Sequence, residues 1–372
     1  MIRIPKHIAQ LTPYKAGKPI DELAREKGIT KIVKLASNEN PLGPSPKAMD
    51  VISKNINQLH RYTNPAAFRL VNAIAKKINK LPSQIVTGSG SDSILQYIVT
   101  AFSDIDDEML TSEGTFIGWY VNVNKYGRPL KKIQLNNYYF NLDAIADAVT
   151  EKTKIIYLAN PNNPTGSYFT KQQFDEFVKK IPNNILIVLD EAYTVYAESL
   201  PDYPNGVNYD LGNLLVIRTL SKAYGLAGLR IGYAAGAQEL IKELYKVKLP
   251  FEPNMLAQEA AIAALDDDEF LTKTVELNKV SLNIMKTKFD QIGIQYVPTA
   301  ANFFMMIFHT AEFAFLFNEG CLNRGLILRY VDTFGIPEGV RINSGTLEET
   351  KFALDVIEDV YFQLKKKYEV SI

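Results

Sequence analysis

The chain of 372 residues is poor in several residue types and patterns, and each shortage excludes a class of protein. Its one cysteine, Cys321, lies between Gly320 and Leu322, so no internal disulfide and no thiolate metal cluster can form. That suits a reducing compartment, and a cytoplasmic location is expected. The three histidines, His7, His60 and His309, are scattered, and neither H-E-x-x-H nor G-x-S-x-G occurs. A zinc hydrolase or a Ser/His hydrolase is therefore not expected, nor is any metal. Charge of one sign is also missing: 41 Lys plus Arg balance 41 Asp plus Glu. No global field draws the chain to nucleic acid or an anionic membrane, so any anion it binds must be held locally. Apolar runs such as ILIVLD (185–190) and ANFFMMIF (301–308) fall far short of the roughly 18 residues that suggest a membrane span. The stretch MIRIPKHIAQLTPYKAGK has no continuous apolar core of the secretory-signal kind.

With 47% hydrophobic and 22% charged residues, the chain has the composition of a folded protein large enough for two domains. From about 69 to 265, short apolar runs alternate with helix-like segments, uninterrupted by linkers, charge blocks or repeats, as in a doubly wound, mainly parallel α/β layer. Strands are expected at 154–160, 185–190, 214–222 and 230–236, buried on both faces, with functional residues at their carboxyl ends. Beyond Pro250 the pattern predicts helices over 255–265, 268–292 and 310–324 and a smaller α+β domain. The expected division is an N-terminal arm over 1–30, a large domain over 46–260, and a small domain of 31–45 plus 261–372.

Several segments carry chemistry. TLSKAYGLAGLRIG (219–232) sets Thr219 and Ser221 before Lys222, with Arg230 eight residues on. A lysine among hydroxyls and a glycine-rich turn can form a Schiff base to an aldehyde while its neighbours hold a phosphate monoester, a combination that pyridoxal phosphate requires. VLDEAY (188–193) ends an apolar run with Asp190, a carboxylate placed to pair with a pyridine nitrogen, and Tyr193, a donor for a phenolic oxygen. LANPNNPTG (158–166) pins Asn163 in a polar turn after a strand. In VTGSGSDSILQ (86–96), Ser91 and Asp92 open a helix whose free N–H groups suit a phosphate. Ser93 stands where a dinucleotide fingerprint needs its third glycine. Phe116 offers an aromatic face, and Arg329 and Arg341 each follow an apolar run as a fork for carboxylate or phosphate.

Together these segments resemble the fold-type I pyridoxal phosphate-dependent aminotransferases and, within them, the histidinol-phosphate aminotransferase family. NPTG (163–166), DEAY (190–193) and SKAYGLAGLR (221–230) are similar to the superfamily's marks, and LTPY (11–14) and LASNENPLGPSP (35–46) to the family's. RYTNP (61–65), GSGSD (88–92), FEPNMLAQ (251–258) and VRINSGT (340–346) extend the likeness nearly end to end. The resemblance implies that Lys222 holds the cofactor and shuttles a proton, Asp190 pairs with the pyridine nitrogen, Asn163 and Tyr193 with the phenolic oxygen, and Phe116 stacks on the ring. It implies a cofactor phosphate held by Thr219, Ser221, Arg230 and the backbone of Ser91 and Asp92, with Tyr62 reaching over from the other subunit of a homodimer with shared active sites. Arg341 would bind the α-carboxylate, and Tyr14 and Arg329 the substrate phosphate. The implied substrates are L-histidinol phosphate and 2-oxoglutarate, with imidazole-acetol phosphate and L-glutamate as products. Asn343, Ser344, Glu113, Gly114 and Tyr330 depart from the usual pattern, and aromatic amino acid aminotransferases share similar motifs. The amino donor therefore stays open between these two, with a phosphothreonine decarboxylase as a third reading. A DNA-binding regulator built on this domain is not expected, because the motifs begin by Leu11 and the net charge is zero.

Overall fold

The computed structural model describes residues 2–11 and 20–369, and among these, thirteen strands form three sheets. Seven lie in one sheet: β2 (Ile85–Gly88), β3 (Glu108–Ser112), β4 (Leu130–Ile133), β5 (Thr153–Ala159), β6 (Leu186–Asp190), β7 (Leu214–Thr219) and β8 (Gly232–Gly236). Their order is β2-β8-β7-β6-β5-β3-β4, and only β8 runs antiparallel to its neighbours. Every residue of β6 is buried, as are nearly all of β5 and β7, because helices cover both faces. Four strands, β9 (Gln295–Val297), β10 (Phe303–Ile307), β12 (Arg329–Tyr330) and β13 (Gly339–Asn343), make an antiparallel sheet in the order β12-β13-β10-β9. The third sheet pairs β1 (Val33–Lys34) in parallel with β11 (Leu326–Ile327).

One core spans residues from Ala48 to Leu265 around the large sheet. A second joins Val33 and Leu35 to residues between Met285 and Val360. The helix Asp268–Ile292 runs from a third, smaller cluster into the second core: Leu271 and Val275 pack beside Tyr193 and Phe303, while Met285, Phe289 and Ile292 enter the second core. Within the N-terminal thirty residues, the helix Ile20–Lys27 buries Leu23 completely against Ala36 and Ile327.

Local chemistry trims the expected elements. β7 stops at Thr219 rather than reaching 222, because Thr219 Oγ1 accepts from the Ser221 amide at 3.1 Å and turns the chain. β8 starts at Gly232 rather than 230, since Arg230 sits in the left-handed region at φ 53°. The expected helix at 310–324 runs Ala311–Leu322, with Thr310 capping the Phe313 amide at 3.1 Å, and Gly293 at φ 79° closes the helix Asp268–Ile292. At Gly225, φ 69°, an added Cβ would lie 2.1 Å from the Gly43 carbonyl oxygen. Only glycine lets the loop after Lys222 pack on the 40–44 turn.

Near the carboxyl ends of β6 and β7, Arg218 donates from Nε and Nη2 to Glu191 Oε2 at 2.9 and 2.6 Å, while the Gly206 amide donates to Oε1 at 2.6 Å. Both side chains are buried. Removing one partner strands the other charge away from water. Glu191→Ala is therefore expected to lower the unfolding free energy by about 3–5 kcal/mol, and Glu191→Leu with Arg218→Met together by far less, as chemical denaturation would measure.

Candidate active site

The carboxyl ends of β5, β6 and β7 meet around one crevice, as the switch-point geometry of a parallel sheet dictates. Asp190 is the last residue of β6, opposite Ala159 on one side and Ile217 on the other. After β5 the chain turns through 160–166, held by the Asn160 amide donating to Asp190 O at 2.9 Å and the Gly166 amide to Asn162 O at 2.8 Å. That turn delivers Asn163. After β7, the Thr219–Ser221 turn delivers Lys222, whose Nζ donates to Ser37 O at 3.0 Å. The crevice is partly open to solvent.

One end suits an anion. Thr219 Oγ1 and Ser221 Oγ lie 3.0 Å apart, Arg230 Nη1 stands 3.5 Å from Ser221 Oγ, and the helix Gly90–Phe102 opens there with Ser91 and Asp92 in its first turn. Two glycines keep this cradle clear. A Cβ at Gly90 would meet Arg230 Nη2 at 2.7 Å, and one at Gly232 the Ser91 amide nitrogen at 2.8 Å. The Asp92 carboxylate pairs with Arg230 at 3.0 Å, so Asp92 suits an anion only through its backbone.

The other end suits a cation. Asp190 is buried and receives only neutral donors among the described residues, Tyr157 Oη to Oδ2 at 2.8 Å and the Ala192 amide to Oδ1 at 3.1 Å. Burial pushes its carboxyl up to about 6, against the pull of those two hydrogen bonds. Between the ends, Phe116 lines the wall and Tyr193 Oη accepts from Asn38 Nδ2 at 2.7 Å and Asn163 Nδ2 at 3.3 Å. Burial, followed by the charge of Arg341, lowers the Lys222 ammonium to about 8. An amine that sheds its proton easily, a phosphate cradle, an aromatic wall and an unpaired carboxylate together fit pyridoxal phosphate.

Ten of the residues singled out in the sequence line this crevice: Ser91, Asp92, Phe116, Asn163, Asp190, Tyr193, Thr219, Ser221, Lys222 and Arg230. Arg341 joins them from β13, donating to Asn163 Oδ1 and to Ala36 O at 2.7 Å. Arg329 lies directly opposite Arg341 in the β12–β13 register and rests over the Phe334 ring. Tyr62 does not line the crevice of its own chain; it is 85% exposed and stacks on Phe251. Tyr14 lies outside the described residues. Sequence reasoning missed Tyr157, Asn38 and the Ser37 carbonyl. A lone phenol in the aliphatic run KIIYLAN was a usable signal, since a buried hydroxyl needs a partner. Asn38, at φ 56°, carried none beyond its type.

A mainly parallel seven-stranded sheet with a lysine, a carboxylate and an anion cradle at its carboxyl edge defines a fold-type I transferase. The family model "Aminotransferase class I and II" matches residues 30–357. The chain is 39% identical to histidinol-phosphate aminotransferase 2 of Carboxydothermus hydrogenoformans, over 95% of its own length and 100% of that protein. It is 38% identical to histidinol-phosphate aminotransferase 2 of Hydrogenovibrio crunogenus, over 95% of each chain. The crystal structure of histidinol-phosphate aminotransferase from Sinorhizobium meliloti in complex with pyridoxal-5'-phosphate superposes with a TM-score of 0.90 at 26% identity, over 98% of this chain and 99% of that one. The chain belongs to the class I and II aminotransferases and, among them, to the histidinol-phosphate aminotransferase family.

The buried, cation-free Asp190 has a consequence for stability. Unfolded, an aspartate releases its proton near 3.9; folded, this one keeps it to about 6. Because the folded state binds the proton more tightly, stability of the cofactor-free protein falls as pH rises from about 4 to 6. Asp190→Asn is expected to raise the unfolding free energy of the cofactor-free protein at pH 7.5 by about 2–3 kcal/mol. The gain should vanish below about pH 4, as a pH series of chemical denaturation would reveal.

Proposed function

We infer that the protein uses pyridoxal phosphate to move the amino group of L-histidinol phosphate to 2-oxoglutarate, leaving imidazole-acetol phosphate and L-glutamate, a step of histidine biosynthesis. The observation that carries this reading is the cross-strand pair Arg329 and Arg341, the second of which donates to Asn163 in the crevice wall. L-Histidinol phosphate has a phosphate and no carboxylate, whereas glutamate has carboxylates alone. Two guanidinium groups on facing positions, with side chains starting about 5 Å apart, can serve either anion in turn. Relatives named for this activity support the choice, since 37–39% identity extends over 92–95% of the chain.

When bound, pyridoxal phosphate supplies an aldehyde that condenses with amines and a ring that accepts electrons from the bond broken at the substrate Cα. The rest falls to the protein. Lys222 is the base: with its ammonium lowered to about 8, a usable share of Nζ is free amine near neutrality to take the proton from the substrate Cα and deliver it to the cofactor carbon that carried the aldehyde. Asp190 presents an anion to the pyridine nitrogen and favours its protonation. Tyr193, whose phenol burial pushes up to about 12, stays protonated, and with Asn163 it faces the phenolic oxygen. Phe116 covers the ring. Thr219, Ser221, Arg230 and the amides of Ser91 and Asp92 hold the cofactor phosphate. Arg341 takes the α-carboxylate, and Arg329 with Tyr14 the substrate phosphate.

Tyr62, exposed on its own chain, serves the crevice of a second copy, so the working unit is a homodimer with shared active sites. Among the described residues no helix is long and apolar enough to cross a membrane, and the lone Cys321 is buried. Both are compatible with the cytoplasm, where we place the protein.

The test is direct: the loaded protein is mixed with L-histidinol phosphate or L-phenylalanine while the cofactor absorbance is followed. Histidinol phosphate should be preferred in kcat/KM by about a hundredfold, the worth of one strong charge-assisted contact. A preference for phenylalanine would move the protein to the aromatic amino acid aminotransferases. The two arginines separate by half-reaction. Arg329→Leu should raise KM for histidinol phosphate by about tenfold or more and leave that for glutamate within about twofold, whereas Arg341→Leu should cripple the glutamate half-reaction.

A further inference from the structure

We propose that Tyr157 is a positioning residue for Asp190: its hydroxyl, donating to Oδ2 at 2.8 Å, keeps that carboxylate ionised and aimed into the crevice. The proposal rests on the reading of Asp190 as partner of the ring nitrogen. Tyr157 stands in the middle of β5 among Ile155, Ile156 and Leu158, fully buried, where phenylalanine would pack equally well. A hydroxyl at such a place must have a polar partner, and here the partner is an anion, which makes the bond charge-assisted and strong.

The phenol is clamped. Its ring stacks on Trp119 with centroids 4.9 Å apart and planes within 8°, and Thr111 Oγ1 donates to the Tyr157 carbonyl at 2.7 Å. It is also a permanent donor, because burial and the charge of Asp190 push its pKa well above the usual phenol value. The Ala192 amide fixes Oδ1 at 3.1 Å and Tyr157 fixes Oδ2, so the two donors set the plane of the carboxylate from behind. Each oxygen keeps a lone pair for the crevice. Without Tyr157 the carboxylate would hold its own proton more tightly and be free to turn, and less positive charge would settle on a ring nitrogen paired with it.

Tyr157→Phe in the holoenzyme tests this. Phenylalanine fills the same space, so the fold should survive. Loss of one hydrogen bond to a charged group predicts a kcat lower by about tenfold to a hundredfold, with both KM values within about twofold. The pH titration of the cofactor absorbance should shift. In the cofactor-free protein the stability inflection due to Asp190 should move above its wild-type position near pH 6. In an Asp190→Asn background, Tyr157→Phe should leave the absorbance titration unmoved.

If Tyr157→Phe keeps the wild-type kcat and both pH curves while Asp190→Asn is inactive, Tyr157 has no positioning role and the reading of Asp190 stands. If the shift persists in the Asp190→Asn background, Tyr157 acts through packing and the proposal fails. Should Asp190→Asn itself turn over normally, the reading of Asp190 falls, and this proposal with it.

Discussion

Two carboxylates stand side by side where β6 ends, both cut off from water, and only one of them has a cation. Glu191 is met by the Arg218 fork, and that pair ties β7 to the loop carrying Gly206. Asp190, pointing to the opposite side as strand alternation requires, has only a phenol and a backbone amide among the described residues. A buried carboxylate without a counter-charge is costly, and the cost is tolerated where a cationic ligand is to complete it. The crevice is organised around that deficit. Its walls come from strands that the apolar cores hold rigid, so the carboxylate cannot retreat toward solvent to relieve it.

Lys222 shows the same logic with the sign reversed. Its half-buried ammonium is desolvated and lies near Arg341, and both circumstances work against the proton. Asn163 brings the two halves of the site into one network, accepting from Arg341 while donating to Tyr193. An anion engaging Arg341 would therefore also change the field at Lys222 and the hold on Asn163, which, on the roles proposed for them, couples substrate binding to proton transfer electrostatically.

Much of this was legible in the sequence because it is local. β5, β6 and β7 are continuous apolar runs, and the motifs that follow them are short enough for one turn to hold Asn163, Asp190 or Lys222 at a strand end. What escaped was set by register between distant segments. Tyr157 faces Asp190 because β5 and β6 align Ala159 with Asp190, an alignment that no local pattern encodes. Asn38 reaches Tyr193 across 155 positions of sequence. The strand ends were missed by one to three residues for a different reason. The Thr219 hydroxyl and the left-handed Arg230 redirect the backbone inside what reads as an unbroken run.

The segment from Leu35 to Asn40 belongs to no strand yet ties the smaller antiparallel sheet to the crevice. The Asn343 amide donates to Leu35 O at 3.0 Å, and Asn343 Oδ1 accepts from the Asn38 amide at 3.0 Å, which fastens the segment to β13. From there its own groups face the crevice: Ala36 O takes Arg341, Ser37 O takes Lys222, and Asn38 takes Tyr193. Asn40 then donates to Ala223 O at 2.9 Å and Thr274 Oγ1 at 3.0 Å, closing the segment over the Lys222 loop. Six residues thus place two carbonyls beside two cations, Arg341 buried and Lys222 half-buried, which lowers the cost of desolvating them without cancelling either charge. A carboxylate in the same positions would neutralise Lys222 or Arg341 and disable the role proposed for it. Backbone oxygens stabilise by a dipole alone, so Lys222 remains able to lose its proton and Arg341 remains able to bind an anion.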